Sequence, residues 1–406
     1  MTESLIRVAA TTVTTIAALP VVVAAGYLAA LSLVARRRPA GPRSDRQRFD
    51  LLVPAHDEAG GIAATVASLL AIDYPADRRR VIVIADNCSD ATAAVARAAG
   101  AIVLERTAPD LRGKGHALAF GYASVLADGV ADAVVVVDAD TVVSRDLLRV
   151  IAGEIDRGAE CVQVEYGVRN QGDSWRTRLM AIAFACYHTV RSLGRERLGL
   201  SCGLRGNGMA FATALLQRVP ADAYSVVEDV EYGVILGLAG VRVVYAPEAS
   251  VHGEMPVAAA QARSQRDRWE EGRAALRRRW VPPLLRAAAG RGLRHRFDPV
   301  ALDLAVDLLV PPLTTLGLAA VVGTALTAAL AASGLVPLAA LVPWAVALAA
   351  LVLHVGRGCL LADAGPRVIV DLLWAPIYAC WKLALGLRPR RRPATEWVRT
   401  ARRSDR

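Results

Sequence analysis

The sequence predicts an α/β fold, a mostly parallel sheet with helices on both faces, flanked by transmembrane helices. Three observations predict it. From Phe49 onward, short β-branched and aliphatic runs alternate with helix-like runs, the pattern of strands joined by crossover helices. Acidic and glycine-rich clusters recur where those runs stop, and in an open α/β sheet the ligand crevice lies outside the carboxyl ends of the strands. Long apolar stretches near both ends of the chain are bordered by arginines, as membrane spans are.

Composition agrees. A chain of 406 residues exceeds one ordinary domain. A hydrophobic content of 54% with mean hydropathy +0.35 is too apolar for a purely soluble protein. The net charge is +10, and its basic residues concentrate at Arg36–Arg48, Arg263–Arg296 and Arg388–Arg403, each beside an apolar stretch. Such charge suits cytoplasmic loops and an anionic leaflet. It tracks hydrophobic boundaries and lacks interleaved aromatics, which argues against nucleic acid as a partner. The six cysteines show no C-x-x-C pair and no zinc-like spacing, so they are small buried residues of a reducing compartment.

In chain order, residues 1–38 form an amino-terminal transmembrane anchor, nearly free of charge from Leu5 to Ala35 and closed by Arg36-Arg37-Arg38. The basic cluster follows the apolar core, so this is an anchor with its amino end outside and not a cleaved signal peptide. Residues 39–48 are a basic Pro/Gly/Arg linker. Strand 49–53 leads to the loop Pro54–Glu58 and a helix over about Ile62–Leu70. Strand 81–85 leads to Asp86–Asp90 and an Ala-rich helix ending near Ala99. Strand 101–105 precedes an Arg/Gly/Lys loop and the helix His116–Leu126. Next comes Val134–Val143, VVVVDADTVV. Its four valines suit a strand buried on both faces, and the run stops at Asp138-Ala139-Asp140. Strands at 160–168 and 241–246 and helices near 175–195 and 228–239 complete a domain over 49–257. Residues 258–298 are interfacial helices rich in Arg. Residues 299–388 are a second membrane region, with spans at Leu302–Ala331 and Leu335–Val355 and an interfacial or re-entrant helix at 368–387, which contains Asp371, Pro376 and Lys382. Residues 389–406 are a basic cytoplasmic tail.

The chemistry sits at the strand ends. Two acids one residue apart in extended chain point to one side, so Asp138 and Asp140 form an oxygen-rich corner suited to Mg²⁺ or Mn²⁺. Lys114, between two glycines, is a cation on a loop where backbone can approach phosphate. Glu228-Asp229 opens a helix, where the dipole favours acids. Gln265, Arg268 and Trp269, at spacing 0, 3, 4, share one helical face. Asp86 either meets a ligand N–H or caps the helix that follows, a role Ser89 or Asp90 could also fill.

This set, in this order, resembles the membrane-anchored family 2 glycosyltransferases, which include synthases of cellulose, hyaluronan and poly-N-acetylglucosamine and ceramide glucosyltransferase. The resemblance covers residues 45–290 and the flanking membrane arrangement. It implies a GT-A catalytic domain and inverting transfer from a nucleotide-sugar, UDP-linked, to a lipid or growing polysaccharide. The resemblance places Asp86 on the uracil, with Asp57 and Glu58 beside the nucleoside. It puts Lys114 and Asp138 on the donor, Asp140 with Asp138 on the metal, and Asp229 as general base. Glu228 and the Q-x-x-R-W motif, Gln265, Arg268 and Trp269, serve the acceptor and diphosphate. Position 57 is commonly Asn in the family, and Asn87 stands where many members have a second Asp. The resemblance further implies a multi-pass plasma-membrane protein with its catalytic domain in the cytosol. A partner chain or homo-oligomer follows if it exports polymer, since about three spans make no wide channel. A nucleotidyltransferase would carry a glycine-rich basic signature after its first strand, whereas Pro54–Glu58 is acidic, and a transporter leaves the acids at the strand ends unexplained.

Overall fold

The computed structural model describes residues 2–255, 259–290, 297–362 and 368–374, with the backbone alone at 2, 259–268 and 368–369. The chain begins with α1 (Thr2–Val34), 33 residues long with Pro20 inside it. At 1.5 Å per residue that is about 50 Å, more than a bilayer core. The α/β domain then winds one sheet. Its first half comprises β1 (Phe49–Ala55), α2 (Ile62–Leu70), β2 (Arg79–Asp86), α3 (Thr92–Ala98), β3 (Ile102–Arg106), α4 (Lys114–Asp128) and β4 (Ala133–Val136). The second half comprises β5 (Thr141–Val143), α5 (Leu147–Asp156), β6 (Cys161–Val168), α6 (Trp175–Phe184), a π-helical turn at Ala185–Val190 and α7 (Arg191–Arg197). It continues with β7 (Met209–Ala212), α8 (Thr213–Arg218), α9 (Glu228–Leu238) and β8 (Val243–Gly253).

The sheet has eight strands in the order β3-β2-β1-β4-β7-β6-β8-β5. Its β3-β2-β1-β4 half is parallel throughout. The other half is mixed, because β7 runs antiparallel to both β4 and β6, and β5 antiparallel to β8, while β6 and β8 are parallel. The expectation of a mostly parallel sheet holds, with four of the seven strand pairings parallel and every antiparallel one made by β7 or β5. Residues 209–212 read in sequence as an apolar run after Gly208, and a four-residue run does not disclose its direction.

The valine run is buried on both faces, as its composition requires. Val135 and Val137 pack with Leu51, Val53, Val66 and Leu148 on one face. Val134 and Val136 pack with Leu52, Ile84, Leu118 and Phe211 on the other. Parallel strands with alternate residues in two cores have no polar face, so the charged residues of β1, β2 and β3 gather near the strand ends, as Asp50, Arg80, Asp86 and Arg106 do.

After α10 (Ala259–Ala289) and α11 (Pro299–Leu309) come α12 (Leu313–Ala332), α13 (Val342–Leu361) and the short α14 (Val368–Leu372). Among the described residues three helices are long and apolar enough to cross a membrane, Glu3–Val34, Leu313–Ala332 and Leu338–Leu361. One seam joins them, with Ala18, Val21, Ala25 and Leu28 against Leu316, Ala320, Trp344 and Leu351. The expected span Leu302–Ala331 is corrected. The helix stops at Leu309, Pro312 caps the next one, and Pro311-Pro312 lies between, since proline lacks the N–H that would carry a helix through. Asp303 and Asp307 of α11 are buried against arginines of α7. Most of the expected helix 368–387 lies outside the described residues, as does the tail 389–406.

Candidate active site

The loops that follow β1, β2 and β4 open at one edge of the sheet and carry the acids singled out above. Asp57 follows β1 in the left-handed region, at φ +53°. Its Oδ1 accepts from the backbone N–H of Ser89 at 2.6 Å and of Asp90 at 3.2 Å, and its Oδ2 accepts from Ser89 Oγ at 3.0 Å. Asp57 thus ties the first loop to the second. Its carboxylate, Cys88 Sγ and the Asp90 carboxylate lie within 4.8 Å of one another, a grouping explained by these turn hydrogen bonds. Glu58, almost buried, donates its N–H to Thr92 Oγ1 at 2.7 Å. Asp90, not Asp86, accepts from Thr92 N–H at 2.9 Å, so the helix that follows does not need Asp86 as a cap.

Asp86 ends β2 fully buried, in an ion pair with Arg106 and accepting from Asn87 Nδ2 at 3.1 Å. The sheet register puts Asp86 directly opposite Arg106. Arg106 escaped the sequence reading because it becomes a partner of Asp86 only once β2 and β3 are paired. Asn87, at φ +50°, accepts from Ala108 N–H at 2.7 Å. Non-glycine residues seldom adopt positive φ, and such positions gather at ligand clamps. Two of them flank this corner.

Asp138, Lys114, Glu228 and Asp229 form one constellation. The α4 helix begins two residues before its expected start, at Lys114, because Gly113 supplies φ +127°. The ammonium reaches Asp138 Oδ1 at 2.6 Å, Gly206 O, and Glu228 Oε1 at 3.6 Å. Asp138 N–H donates to Asn207 Oδ1 at 3.1 Å, and Asn207 Nδ2 donates to Thr141 Oγ1 at 2.8 Å. Gln163, fully buried, donates to Asn207 O and accepts from Arg205 N–H. The Gly206-Asn207-Gly208 turn is therefore a strut that fixes the acid corner. Gly206 admits no side chain, since at φ +82° a Cβ would sit 3.2 Å from Asp229 Oδ2.

Glu228 and Asp229 start α9 above an apolar pocket lined by Leu118, Tyr122, Leu204, Met209, Phe211 and Tyr232. Burial raises both carboxyls, that of Glu228 to about 7. Lys114 opposes the rise in both, while Asp229 adds to the rise at Glu228 by like-charge repulsion. Burial works against the Lys114 ammonium, but Asp138, Glu228 and Asp229 outweigh it and raise its pKa.

A divalent cation with hard-oxygen preference fits the donor set here. Asp138 and Asp140 are carboxylates at one strand end, Asp138 keeps a partly exposed side chain, and few protein ligands leave room for phosphate oxygens. The backbone of Gln265 and Arg268 lies in α10, but their side chains fall outside the described residues. Trp269, the third residue of that motif, is partly exposed.

A profile of the glycosyltransferase-like family 2 matches residues 46–272. The chain is 25% identical over 232 residues to the probable glycosyltransferase YdaM of Bacillus subtilis, covering 55% of each protein. It is 30% identical over 231 residues to the beta-monoglucosyldiacylglycerol synthase of Synechocystis sp., covering 55% of this chain and 47% of that one. The chain thus spans about half the length of the curated relatives it matches. The solved mannosyltransferase PcManGT from Pyrobaculum calidifontis, in complex with GDP-Man and Mn²⁺, is similar with a TM-score of 0.53 at 21% identity, covering 94% of this chain and 99% of that one. That likeness shows the fold, a GT-A sheet with its accompanying helices.

Proposed function

The chain belongs to the glycosyltransferase-like family 2, and on that premise we propose that it is an inverting hexosyltransferase. It moves a sugar from a nucleotide-sugar, UDP-linked, to a lipid at the cytoplasmic face of the membrane. The observation that carries this reading is the meeting of Lys114 with Asp138, Glu228 and Asp229 at one sheet edge. A lone acid pair could end any strand. An acid pair bridged by a mostly buried ammonium to a second, desolvated acid pair supplies both halves of a displacement.

Asp229 takes the proton of the acceptor hydroxyl, and its desolvated site keeps its pKa above that of a free carboxylate. The hydroxyl oxygen attacks the anomeric carbon from the face opposite the diphosphate, the glycosidic bond forms as the bond to phosphate breaks, and one displacement inverts the centre. Lys114 meets the charge that builds on the leaving phosphate, and Arg268 is the second cation assigned there. Asp138 and Asp140 would hold Mg²⁺ or Mn²⁺, which supplies Lewis-acid stabilisation of the diphosphate when bound. Asp86, oriented by Arg106, faces the base, and Asp57 and Glu58 shape the nucleoside loop.

A lipid acceptor suits a domain whose π turn and α7 pack against helices able to cross a membrane, and one relative is named for a diacylglycerol glycolipid. The test is a screen of labelled nucleotide-sugars in membranes holding the full chain, with products sized. One glycolipid species is expected, and a ladder or high-mass product would identify a processive polysaccharide synthase instead. Asp229→Asn should lower transfer about 10²–10⁴-fold, the usual worth of a general base, while nucleotide binding stays intact. Full turnover in that variant would refute the assignment of the base.

A further inference from the structure

Behind Asp229, where the α/β domain meets the membrane helices, lies a cluster that the transfer reaction does not use. The π-helical turn Ala185–Val190 carries Tyr187, and such turns often mark functional sites. Three guanidiniums stack on the Tyr187 ring, Arg205 at 4.4 Å, Arg191 at 4.8 Å and Arg273 at 5.4 Å from its centroid. Arg273 also donates to the Tyr187 hydroxyl. These residues come from the π turn, the loop before β7, and helices α7 and α10, so the cage forms only when the domain and the interfacial helices are docked.

Its charges do not balance. Arg191, Arg195 and Arg273 share Asp303 and Asp307. Among the described residues no carboxylate lies within ion-pair distance of Arg205, whose Nη2 donates only to Cys202 O at 2.8 Å and Ser192 Oγ at 3.4 Å. Arg191 Nε and Arg205 Nε are buried without a hydrogen-bond partner. Among the described residues four guanidiniums thus face two aspartates, and with Asp229 counted as a third acid one positive charge stays unmatched there. An unmatched buried charge is costly, and a bidentate guanidinium fork suits phosphate. In keeping with this excess, and although burial opposes it, the arginines pull the Tyr187 phenol down to about 8.

We propose that the Tyr187–Arg205–Arg273 cage, backed by Arg191, binds a phosphate-class anion carried by the lipid acceptor and so seats its hydroxyl beside Asp229. This rests on reading the site as glycosyl transfer to a lipid, and it adds a preference for an anionic headgroup over a neutral one. Arg205 leads directly into Gly206, the residue that approaches Asp229. The anion and the base are therefore held by one stretch of backbone.

The test uses the full chain in phosphatidylcholine nanodiscs, with either phosphatidylglycerol or diacylglycerol as acceptor and inorganic phosphate as competitor. Wild type should show a KM for phosphatidylglycerol about tenfold below that for diacylglycerol, the equivalent of one charge-assisted contact. Arg205→Gln should abolish that preference, Arg205→Lys should restore part of it, and Tyr187→Phe, which keeps the ring and its packing, should lower it severalfold. Inorganic phosphate that competes with phosphatidylglycerol supports the site and shows that the anion alone suffices. A lack of competition, with preference retained, shows that the lipid chain is needed as well. A rise in donor KM in Arg205→Gln would place the cage in the donor's diphosphate site and overturn the proposal. So would a fall in thermal stability with the acceptor preference unchanged, the signature of a purely structural cage. If wild type turns over no nucleotide-sugar, the glycosyl-transfer reading fails separately. Phosphatidylglycerol retained on the purified protein, and lost in Arg205→Gln, then decides the anion site alone.

Discussion

At the scale of single residues, Lys114 controls the ionisation of the acids it faces. Burial pushes Glu228 and Asp229 up, and Lys114 is the strongest influence pulling both down. The two acids interact closely enough to titrate as a pair. A base works only when ionised, so the acidic limb of kcat/KM should lie above the ordinary carboxylate range, the direction in which burial moves both acids. Lys114→Met removes the cation that favours the charged forms. The acidic limb should then move to higher pH, on top of an overall loss from weaker phosphate stabilisation. A pH–rate profile checks this, and a limb displaced to lower pH would contradict the geometry of the ammonium. Asp138, Asp140, Glu228 and Asp229 were legible in the sequence because each sits beside a strand or helix end that hydropathy alone marks. Arg106, Gln163, Arg205 and Tyr187 were not. Each gains its meaning from a neighbour 20 to 90 positions away, and no local pattern encodes that pairing.

At the scale of elements, the joint between α7 and α11 ties the domain to α11 and to the apolar helix α1. Arg195 is fully buried, with its Nε 2.8 Å from Asp303 and its Nη2 2.6 Å from Asp307. It also donates to the Tyr27 hydroxyl of α1, which in turn donates to Asp303. One guanidinium thus joins three helices that are far apart in sequence. Hydropathy averaged the two aspartates of α11 into a span because their partners lie over 100 residues upstream, and only the Pro311-Pro312 pair signalled the break. Removing one partner from a buried ion pair costs about 3–5 kcal/mol, whereas replacing both with well-packed apolar residues is often close to neutral. Asp303→Leu should accordingly lower the thermal midpoint in detergent by several degrees, and Arg195→Leu combined with it should recover much of that loss. If the double variant is no more stable than the worse single one, the network contributes more than the pair, through Tyr27 and Asp307.

At the scale of the whole molecule, the parallel half of the sheet was legible almost residue by residue, since each strand is built on a short aliphatic run and each crossover is a separate helix. The α2 helix occupies Ile62–Leu70 as its pattern predicts. The mixed half was not, because β7 and β5 are too short for periodicity to tell strand direction. The membrane arrangement follows from charge. Arg36-Arg37-Arg38 closes α1, whereas residues 333–341, between α12 and α13, contain no Lys or Arg. Positive residues favour the cytoplasmic side, so the proposed arrangement puts the amino terminus and the 333–337 turn outside and the α/β domain inside, beside the pool of nucleotide-sugars. Single cysteines at the exposed positions Glu3, Ser333 and Asp77, placed in a chain freed of its six native cysteines, test this with a membrane-impermeant thiol reagent on intact cells. Cysteine at 3 and 333 should label directly, and cysteine at 77 only after permeabilisation. Labelling of 77 in intact cells would put Asp229 on the side without nucleotide-sugar and would refute transfer at the cytoplasmic face. Protection of 333 alone would instead show that α12 and α13 enter the bilayer without crossing it, leaving the acceptor path to α1 and the arginine-rich helices beneath it.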